Sequence, residues 1–181
     1  MARRDDGFAE FFEARFDTAR RIGYALCANW SEAEELAQTA FVRVYARWPK
    51  VHRETADAYL RTVLTRAFLD TKRRGRAREH VVAEVPDQPV EAGNEGTEER
   101  AALTAALQKV PPRQRAVLVL RFIQDLSVEQ VADALRCSTG TVKSQTARGL
   151  ATLRAAYHAA NGTEDTPGQG KTPPPLLSAG R

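Results

Sequence analysis

The sequence predicts an all-α protein in which two small helical domains are joined by a flexible acidic linker. Apolar residues recur three and four positions apart along most of the chain, which is the spacing of helices that bury one face. No alternation of apolar and polar residues lasts long enough to predict a strand. From about Arg76 to Gly96 the helical spacing stops, and prolines and glycines stand among acidic residues, a composition typical of linkers.

The length of 181 residues is sufficient for two small domains, and the 43% of hydrophobic residues is sufficient for their cores. We expect the first domain over residues 8–78, the linker over 79–97 and the second domain over 98–160. Residues 161–181 are rich in Gly, Pro, Thr and Ser, so they are predicted to form a disordered tail.

The composition also excludes several classes of protein. No run of about 18 apolar residues is present, which excludes a membrane span. The charged start from Met1 to Asp6 leads into no apolar segment, so we expect no secretory signal and a cytoplasmic location. Cys27 and Cys137 stand far apart and outside any ligand-like spacing, so neither a disulfide nor a zinc site is predicted.

The charge is divided into two basic blocks around an acidic connector, although the net charge is only +4. Residues 1–80 carry 16 Lys and Arg against 12 Asp and Glu, residues 81–100 carry 1 against 6, and residues 101–181 carry 10 against 5. Within the first block, residues 61–78 hold seven basic residues and one acid. A cluster this dense is typical either of a surface that binds a polyanion or of a solvated helix end.

Three helices are predicted in the first domain, beginning with one from Phe8 to about Ala28. The second is predicted to start after Ser31 as N-cap, with Glu34 completing a capping box, and to end at Pro49. Its expected buried face is Ala33, Leu36, Ala37, Ala40, Phe41, Val44 and Trp48, and the opposite side carries Glu35, Gln38, Thr39 and Val42. The third follows a short loop and is expected to bury Tyr59, Leu60, Val63, Leu64, Ala67, Phe68 and Thr71.

The second domain is predicted to contain four helices, of which the last two form a helix-turn-helix. The first two run from about Thr97 to Lys109 and from Arg113 to about Ile123, separated by two prolines. A capping box of Ser127 and Gln130 then opens a short helix that is expected to bury Val128, Val131, Ala132 and Leu135. After a tight turn, Ser138 caps the last helix, whose expected buried side is Val142, Thr146, Gly149, Leu150 and Leu153.

The outward side of that last helix has the chemistry of a major-groove reader. Its small residues permit close approach, its hydroxyls suit phosphates or bases, and Arg148 is able to fork onto a guanine. The free amides at the helix N-terminus are able to hold a phosphate. The predicted DNA-binding residues are Ser138, Thr139, Thr141, Lys143, Ser144 and Arg148. The alternative is an ordinary helical hairpin with a polar outer side.

Three motifs resemble those of bacterial sigma factors. Glu32–Gln38 followed by Phe41 resembles the D-A-E-D-L-x-Q-x-x-F signature of their second conserved region. Leu107–Val117 is similar to the L-P-x-x-x-R-x-V approach to their promoter-binding helix-turn-helix, and residues 140–154 are similar to its recognition helix. The order of the motifs, with a linker between them, resembles that of the extracytoplasmic-function group. The segments Val142–Thr146 and Arg148–Leu150 further resemble those of an actinobacterial branch similar to sigma-E.

The resemblance implies core RNA polymerase and promoter DNA as partners, and it raises an anti-sigma factor as a further one. It implies that the polymerase docks on Glu35, Gln38, Thr39 and Val42. It implies that the minus-ten element is engaged by the loop from Val51 to Thr55 and by a helix that carries Arg61, Arg66, Asp70, Arg73 and Arg74. The helix-turn-helix would then read the minus-thirty-five element, while no membrane, small-molecule substrate, cofactor or metal is implied.

Two alternative functions would require features that the sequence lacks. A free-standing helix-turn-helix regulator would carry a different N-terminal half, such as a receiver domain with alternating strands, and none is seen. A nucleic-acid enzyme would need clustered catalytic or metal-binding residues, but His52, His80 and His158 lie in separate segments. We therefore expect a transcription-initiation factor that is not an enzyme.

Overall fold

The computed structural model describes residues 7–78 and 95–161, which belong to two compact units of the chain. We call residues 7–78 the N-terminal unit and residues 95–161 the C-terminal unit. All regular secondary structure in these two ranges is helical, which confirms the predicted all-α fold class. Most of the predicted linker and the predicted tail lie outside the described residues. No helix of the described ranges is long and apolar enough to cross a membrane.

The described residues form seven α-helices, whose bounds in chain order are α1 (Phe8–Cys27), α2 (Trp30–Arg47), α3 (Ala56–Arg78), α4 (Glu95–Lys109), α5 (Pro112–Leu118), α6 (Val128–Leu135) and α7 (Thr139–Asn161). Short 3-10 turns at Trp48–Lys50 and Arg53–Thr55 connect α2 to α3. A π turn at Val119–Ile123 continues directly from α5.

The core of the N-terminal unit lies where α1, α2 and α3 pack against one another. The apolar face predicted for α2 is confirmed, since all seven of its residues, from Ala33 to Trp48, are buried. At one end of the core, phenylalanines of α1 surround Phe41 and Trp48, and the ring centroids of Phe8 and Trp48 are 5.2 Å apart. This burial leaves only the opposite side of α2 available to a partner.

The start of α2 differs from the sequence prediction. Its N-cap is Asn29, whose side-chain oxygen accepts a hydrogen bond of 2.9 Å from the backbone N–H of Glu32. Ser31 is therefore not the cap, and the capping box predicted with Glu34 is wrong. The connection explains the shift, because α1 ends at a left-handed Ala28 and the extended Asn29 directly follows. Both Asn and Ser are good caps, so only the short link decides between them.

Thr71 was expected on the buried face of α3, and this prediction is wrong. Its side chain is exposed, and its hydroxyl donates a hydrogen bond of 3.0 Å to the backbone carbonyl of Ala67 one turn earlier. The buried face ends at Phe68 instead, and Tyr59 at the other end is half-buried. Beyond Phe68, the side chains of Thr71, Arg73 and Arg74 are exposed, and this part of the helix carries mostly charged residues.

In the C-terminal unit, α4, α5 and α6 each pack against α7. The first of these helices begins at Glu95, two residues before the predicted start at Thr97. The helix predicted from Arg113 to Ile123 is α5 followed by the π turn, in which the N–H of Gln124 bonds the carbonyl of Val119 at 3.1 Å. The apolar core beneath the helix-turn-helix joins α5, the π turn, α6 and α7, and its buried residues are Val117, Leu120, Val131, Ala132, Ala134 and Val142.

A buried arginine closes the corner between α4 and α5. Arg115 is 6% exposed, and its guanidinium donates to the backbone carbonyls of Gln108 at 2.7 Å and Val110 at 3.1 Å. These carbonyls lie at the C-terminal end of α4, where the helix itself supplies no partner. Sequence reasoning placed Arg115 only within a motif and did not identify it as a cap.

The helix-turn-helix begins and turns as predicted. Ser127 and Gln130 form both hydrogen bonds of the capping box, and Arg136 ends α6 in the left-handed conformation with a φ of 53°. The hydroxyl of Ser138 accepts a hydrogen bond of 3.1 Å from the N–H of Thr141, which confirms it as the cap of α7. This fixes the direction in which α7 leaves the turn, and hence which of its residues face solvent.

Candidate functional sites

The first candidate site is the outward side of α2, which we call the α2 surface and define as Glu35, Gln38, Thr39 and Val42. All four side chains are exposed. Val42 is 68% exposed, an unusual position for a large aliphatic residue on a helix whose other face is fully buried. The α2 surface is therefore an available, partly apolar face of the kind that contacts another protein.

Two aromatic side chains extend this apolar character, and sequence reasoning missed both of them. Tyr45 lies one turn beyond Val42 and is 38% exposed, and Phe12 of α1 is 36% exposed. Phe8 connects them, with ring centroids 4.8 Å from Tyr45 and 6.5 Å from Phe12. The spacing of the aromatic residues in α1 does not by itself show which of their rings are buried and which are exposed.

The second candidate site, the α3 surface, consists of Arg61, Arg66, Asp70, Arg73 and Arg74. Arg73 and Arg74 are exposed, and the other three are half-buried. An α-helix turns by about 100° per residue, so the last four share one side of α3 and Arg61 lies at least a third of a turn away. The structure therefore brings four of the five predicted residues together.

Ion pairs tie this part of α3 to α2. The carboxylate of Asp70 lies 3.8 Å from a guanidinium nitrogen of Arg43 and 3.4 Å from one of Arg73. A second pair joins Nζ of Lys72 to a carboxylate oxygen of Glu32 at 2.9 Å. Neither Arg43 nor Glu32 was identified from the sequence as a neighbour of α3, because pairing between helices depends on how they cross.

A groove with a volume of about 170 Å³ lies between the α2 surface and the α3 surface. Its walls are formed by Glu32, Glu35, Leu36, Thr39 and Arg43 from α2, and by Ala67, Asp70, Thr71 and Arg74 from α3. The α2 surface and the α3 surface therefore meet along one groove. A partner that rests on α2 would touch side chains of α3 as well.

The third candidate site, the α7 surface, consists of the six residues predicted to bind DNA, namely Ser138, Thr139, Thr141, Lys143, Ser144 and Arg148. All but the half-buried Thr141 are exposed. The hydroxyl of Ser144 donates to the carbonyl of Thr141 at 3.0 Å, and the hydroxyls of Ser138 and Thr141 are 2.9 Å apart. The described residues provide no ion-pair partner for Arg148, so its guanidinium is free to bind an anion or a base.

The start of α6 adds an acidic group near this surface. The pKa of Glu129 is lowered, first by a hydrogen bond from its own backbone N–H and then by one from the hydroxyl of Ser127 at 2.8 Å, with a smaller contribution from Lys143. Its carboxylate is thus stabilised in the charged form by the same residue that caps α6. No group of three or more His, Cys, Asp or Glu in the described ranges is arranged to hold a metal ion.

Comparison with known protein families gives two matches. A model described as Sigma-70 region 2 matches residues 11–78, and one described as Sigma-70 region 4 matches residues 100–153. The first match covers the α2 and α3 surfaces, and the second covers the α7 surface.

Individual relatives agree with these matches. The RNA polymerase sigma-E factor of Streptomyces coelicolor is 36% identical over 148 residues, which cover 81% of this chain and 84% of that protein. The ECF RNA polymerase sigma factor SigE of Mycolicibacterium smegmatis is 35% identical over 80% of this chain and 59% of its own. Among solved structures, the sigma factor RpoE in complex with the anti-sigma factor NepR from Bartonella quintana has a similar fold, with a TM-score of 0.70 at 22% identity, covering 84% of this chain and 96% of that one.

Proposed function

This chain belongs to the sigma-70 family of RNA polymerase sigma factors, in its extracytoplasmic-function group, and from that premise we propose that its α2 surface is the docking site for core RNA polymerase. The observation that carries the proposal is the 68% exposure of Val42 between polar neighbours. Tyr45 and Phe12 extend the apolar contact. Since the opposite face of α2 is buried, changes on the outward side should affect docking without affecting the fold.

The experiment measures the binding to core polymerase, in solution, of a double variant that adds positive charge to the α2 surface, Glu35→Lys with Gln38→Lys. Both side chains are exposed, so we expect a folded protein with far weaker core binding and no promoter-dependent transcription. A matched control is Glu13→Lys with Thr18→Lys, which adds the same charge at two exposed positions of α1 and should bind normally. Wild-type core affinity in the α2 variant would refute the docking site.

The other two surfaces are proposed to contact the promoter. On the α3 surface, the guanidinium groups of Arg66, Arg73 and Arg74 would hold the backbone of the opened minus-ten element, with unstacked bases held near the loop at Val51–Thr55. On the α7 surface, Arg148 and Lys143 would read and hold the minus-thirty-five element in the major groove. Support comes from the exposure of Arg73, Arg74, Lys143 and Arg148 and from the cap that orients α7.

An anti-sigma factor is a further proposed partner, and we place the protein's activity in the cytoplasm with the polymerase. The support is the RpoE structure of similar fold, which was solved in complex with the anti-sigma factor NepR. Such a partner should suppress promoter-dependent transcription when added to the full chain and core enzyme. A protein that binds the chain without suppressing transcription would not fill this role.

A further inference from the structure

Asp70 is the one acid of the α3 surface, and a carboxylate is out of place on a surface that binds nucleic acid. Its negative charge repels the phosphate backbone and reduces the attraction that the surrounding cations supply. Removing it would therefore be expected, on charge alone, to strengthen binding. A role in arranging other side chains is the alternative explanation.

The contacts of Asp70 support that alternative. Its two carboxylate oxygens pair with different arginines, Oδ2 with Arg43 at 3.8 Å and Oδ1 with Arg73 at 3.4 Å. Arg73 belongs to α3, whereas Arg43 belongs to α2 and lies one turn after Thr39 of the docking surface. One carboxylate thus connects a cation beside the α2 surface to a cation of the α3 surface.

The surroundings explain why such a connection is needed. Arg43, Arg74 and Asp70 all line the groove between α2 and α3, and Arg73 adds a further positive charge nearby. Without the carboxylate these guanidinium groups would repel one another and move apart. The pair between Lys72 and Glu32, 2.9 Å apart on the same two helices, holds the crossing at a second point.

We propose that Asp70 is a positioning residue, which holds Arg43 and Arg73 on one carboxylate and so fixes the basic end of α3 relative to the docking helix α2. The proposal rests on the proposed roles of the α2 and α3 surfaces. In this arrangement, polymerase bound to α2 sets the place where α3 meets the minus-ten element. Asp70 itself touches neither the bases nor the phosphates.

The test compares Asp70→Asn with the wild-type chain, each assembled with core polymerase on a promoter that carries a fluorescent base analogue in the minus-ten element. A positioning role predicts that strand opening slows by about two- to fivefold, the range that a partly exposed ion pair supports. Core affinity and the melting temperature should not change. Asp70→Glu keeps the charge and should restore most of the opening rate.

Two controls separate positioning from charge and from direct contact. Glu13→Gln removes one exposed acid from α1 and should not slow opening. In an Arg43→Gln background the effect of Asp70→Asn should shrink, because coupled residues are not additive. Promoter opening by Asp70→Asn that is as fast as in the wild type, or faster, would overturn the proposal. A changed preference for one promoter base in Asp70→Asn would also overturn it if that change persisted in the Arg43→Gln background, because it would indicate direct contact with DNA.

Failure of the proposed surfaces has a different signature. If α2 is not the docking site, the Glu35→Lys, Gln38→Lys variant binds core polymerase normally, whether or not Asp70 is also substituted. If Asp70 is only structural, Asp70→Asn lowers the melting temperature, and Asp70→Glu fails to restore opening. That last result would also overturn the positioning role.

Discussion

At the scale of single residues, Gly23 permits the close crossing of α1 and α2. A Cβ atom at this position would lie 3.0 Å from the backbone oxygen of Ala33 and 3.1 Å from its Cα. These are backbone atoms of the neighbouring helix, so they are unable to move aside as the end of a flexible side chain would. The position of α2 and of its outward surface therefore depends on the absence of a side chain here.

Gly23→Ala should lower the free energy of unfolding of the N-terminal unit by up to about 2 kcal/mol, because the usual cost of overpacking, about 1–3 kcal/mol, exceeds the helix-propensity gain of about 0.8–1.0 kcal/mol that alanine brings. The measurement is denaturant unfolding of the full chain followed by tryptophan fluorescence. Both tryptophans, Trp30 and Trp48, belong to this unit, so the signal reports on it alone.

Gly75→Ala provides the control for this change. A Cβ at Gly75 would meet nothing within 4 Å, and alanine favours the helix by about 0.8–1.0 kcal/mol. Unchanged or increased stability is expected there. If both variants were equally stable, the close approach of α1 and α2 at Gly23 would not restrict the size of the residue at that position.

At the scale of the element, the proposed recognition helix α7 is expected to use different residues for base reading and for phosphate binding. Arg148→Ala should reduce the free energy of promoter binding by about 1–3 kcal/mol. It should also relax the base preference at one or two promoter positions, because a guanidinium that forks onto a base carries sequence information. Lys143→Ala should weaken binding evenly across promoter sequences, as a lost phosphate contact does. Binding of the polymerase holoenzyme to a library of minus-thirty-five elements measures both effects.

Arg113→Ala removes an exposed cation from α5 and should leave the sequence preference unchanged. If neither α7 variant changes how tightly the holoenzyme binds the members of the library, the assignment of α7 as recognition helix is wrong.

The elements also show how far the sequence carries the interpretation. Apolar spacing was enough to predict the buried face of α2 and the caps at Ser127 and Ser138, because these depend on residues within one or two turns. The sequence was not enough to place the start of α2 or the ion pairs of Asp70. Those depend on a short link and on a helix crossing, both of which are tertiary features.

The three predicted site sets differ in the same way. Outward residues of α2 and α7 follow directly from the helical period, and the structure finds them exposed apart from the half-buried Thr141. The α3 set rests on the dense basic cluster of residues 61–78 together with the resemblance, and Arg61 lies apart from the other four around the helix. Arg115 was missed because a buried arginine that caps a neighbouring helix has no local sequence signal.

At the scale of the whole molecule, the basic charge is divided between two halves of the chain, with 16 basic against 12 acidic residues in 1–80 and 10 against 5 in 101–181. Each half offers few phosphate contacts, so the free chain should bind duplex DNA weakly and in a salt-sensitive way. On core polymerase the second contact becomes intramolecular, which raises avidity without new contacts.

Promoter selectivity is therefore expected only when core enzyme is present. Titration of promoter and scrambled duplexes with the chain, with and without core polymerase, at two salt concentrations measures this directly. Tight and selective binding by the chain alone would favour a free-standing regulator instead.

The π turn at Val119–Ile123 has a consequence for how related chains align. Its hydrogen bond from Gln124 to Val119 spans five residues where an α-helix spans four, so the turn accommodates one additional residue within the same helix. In a sequence alignment, a relative whose helix has no π turn here would show a one-residue gap in this segment. The two sequences would then align without a further shift through α6 and α7. Insertion and loss of that residue would thus be tolerated over evolution while the residues of the α7 surface keep their positions.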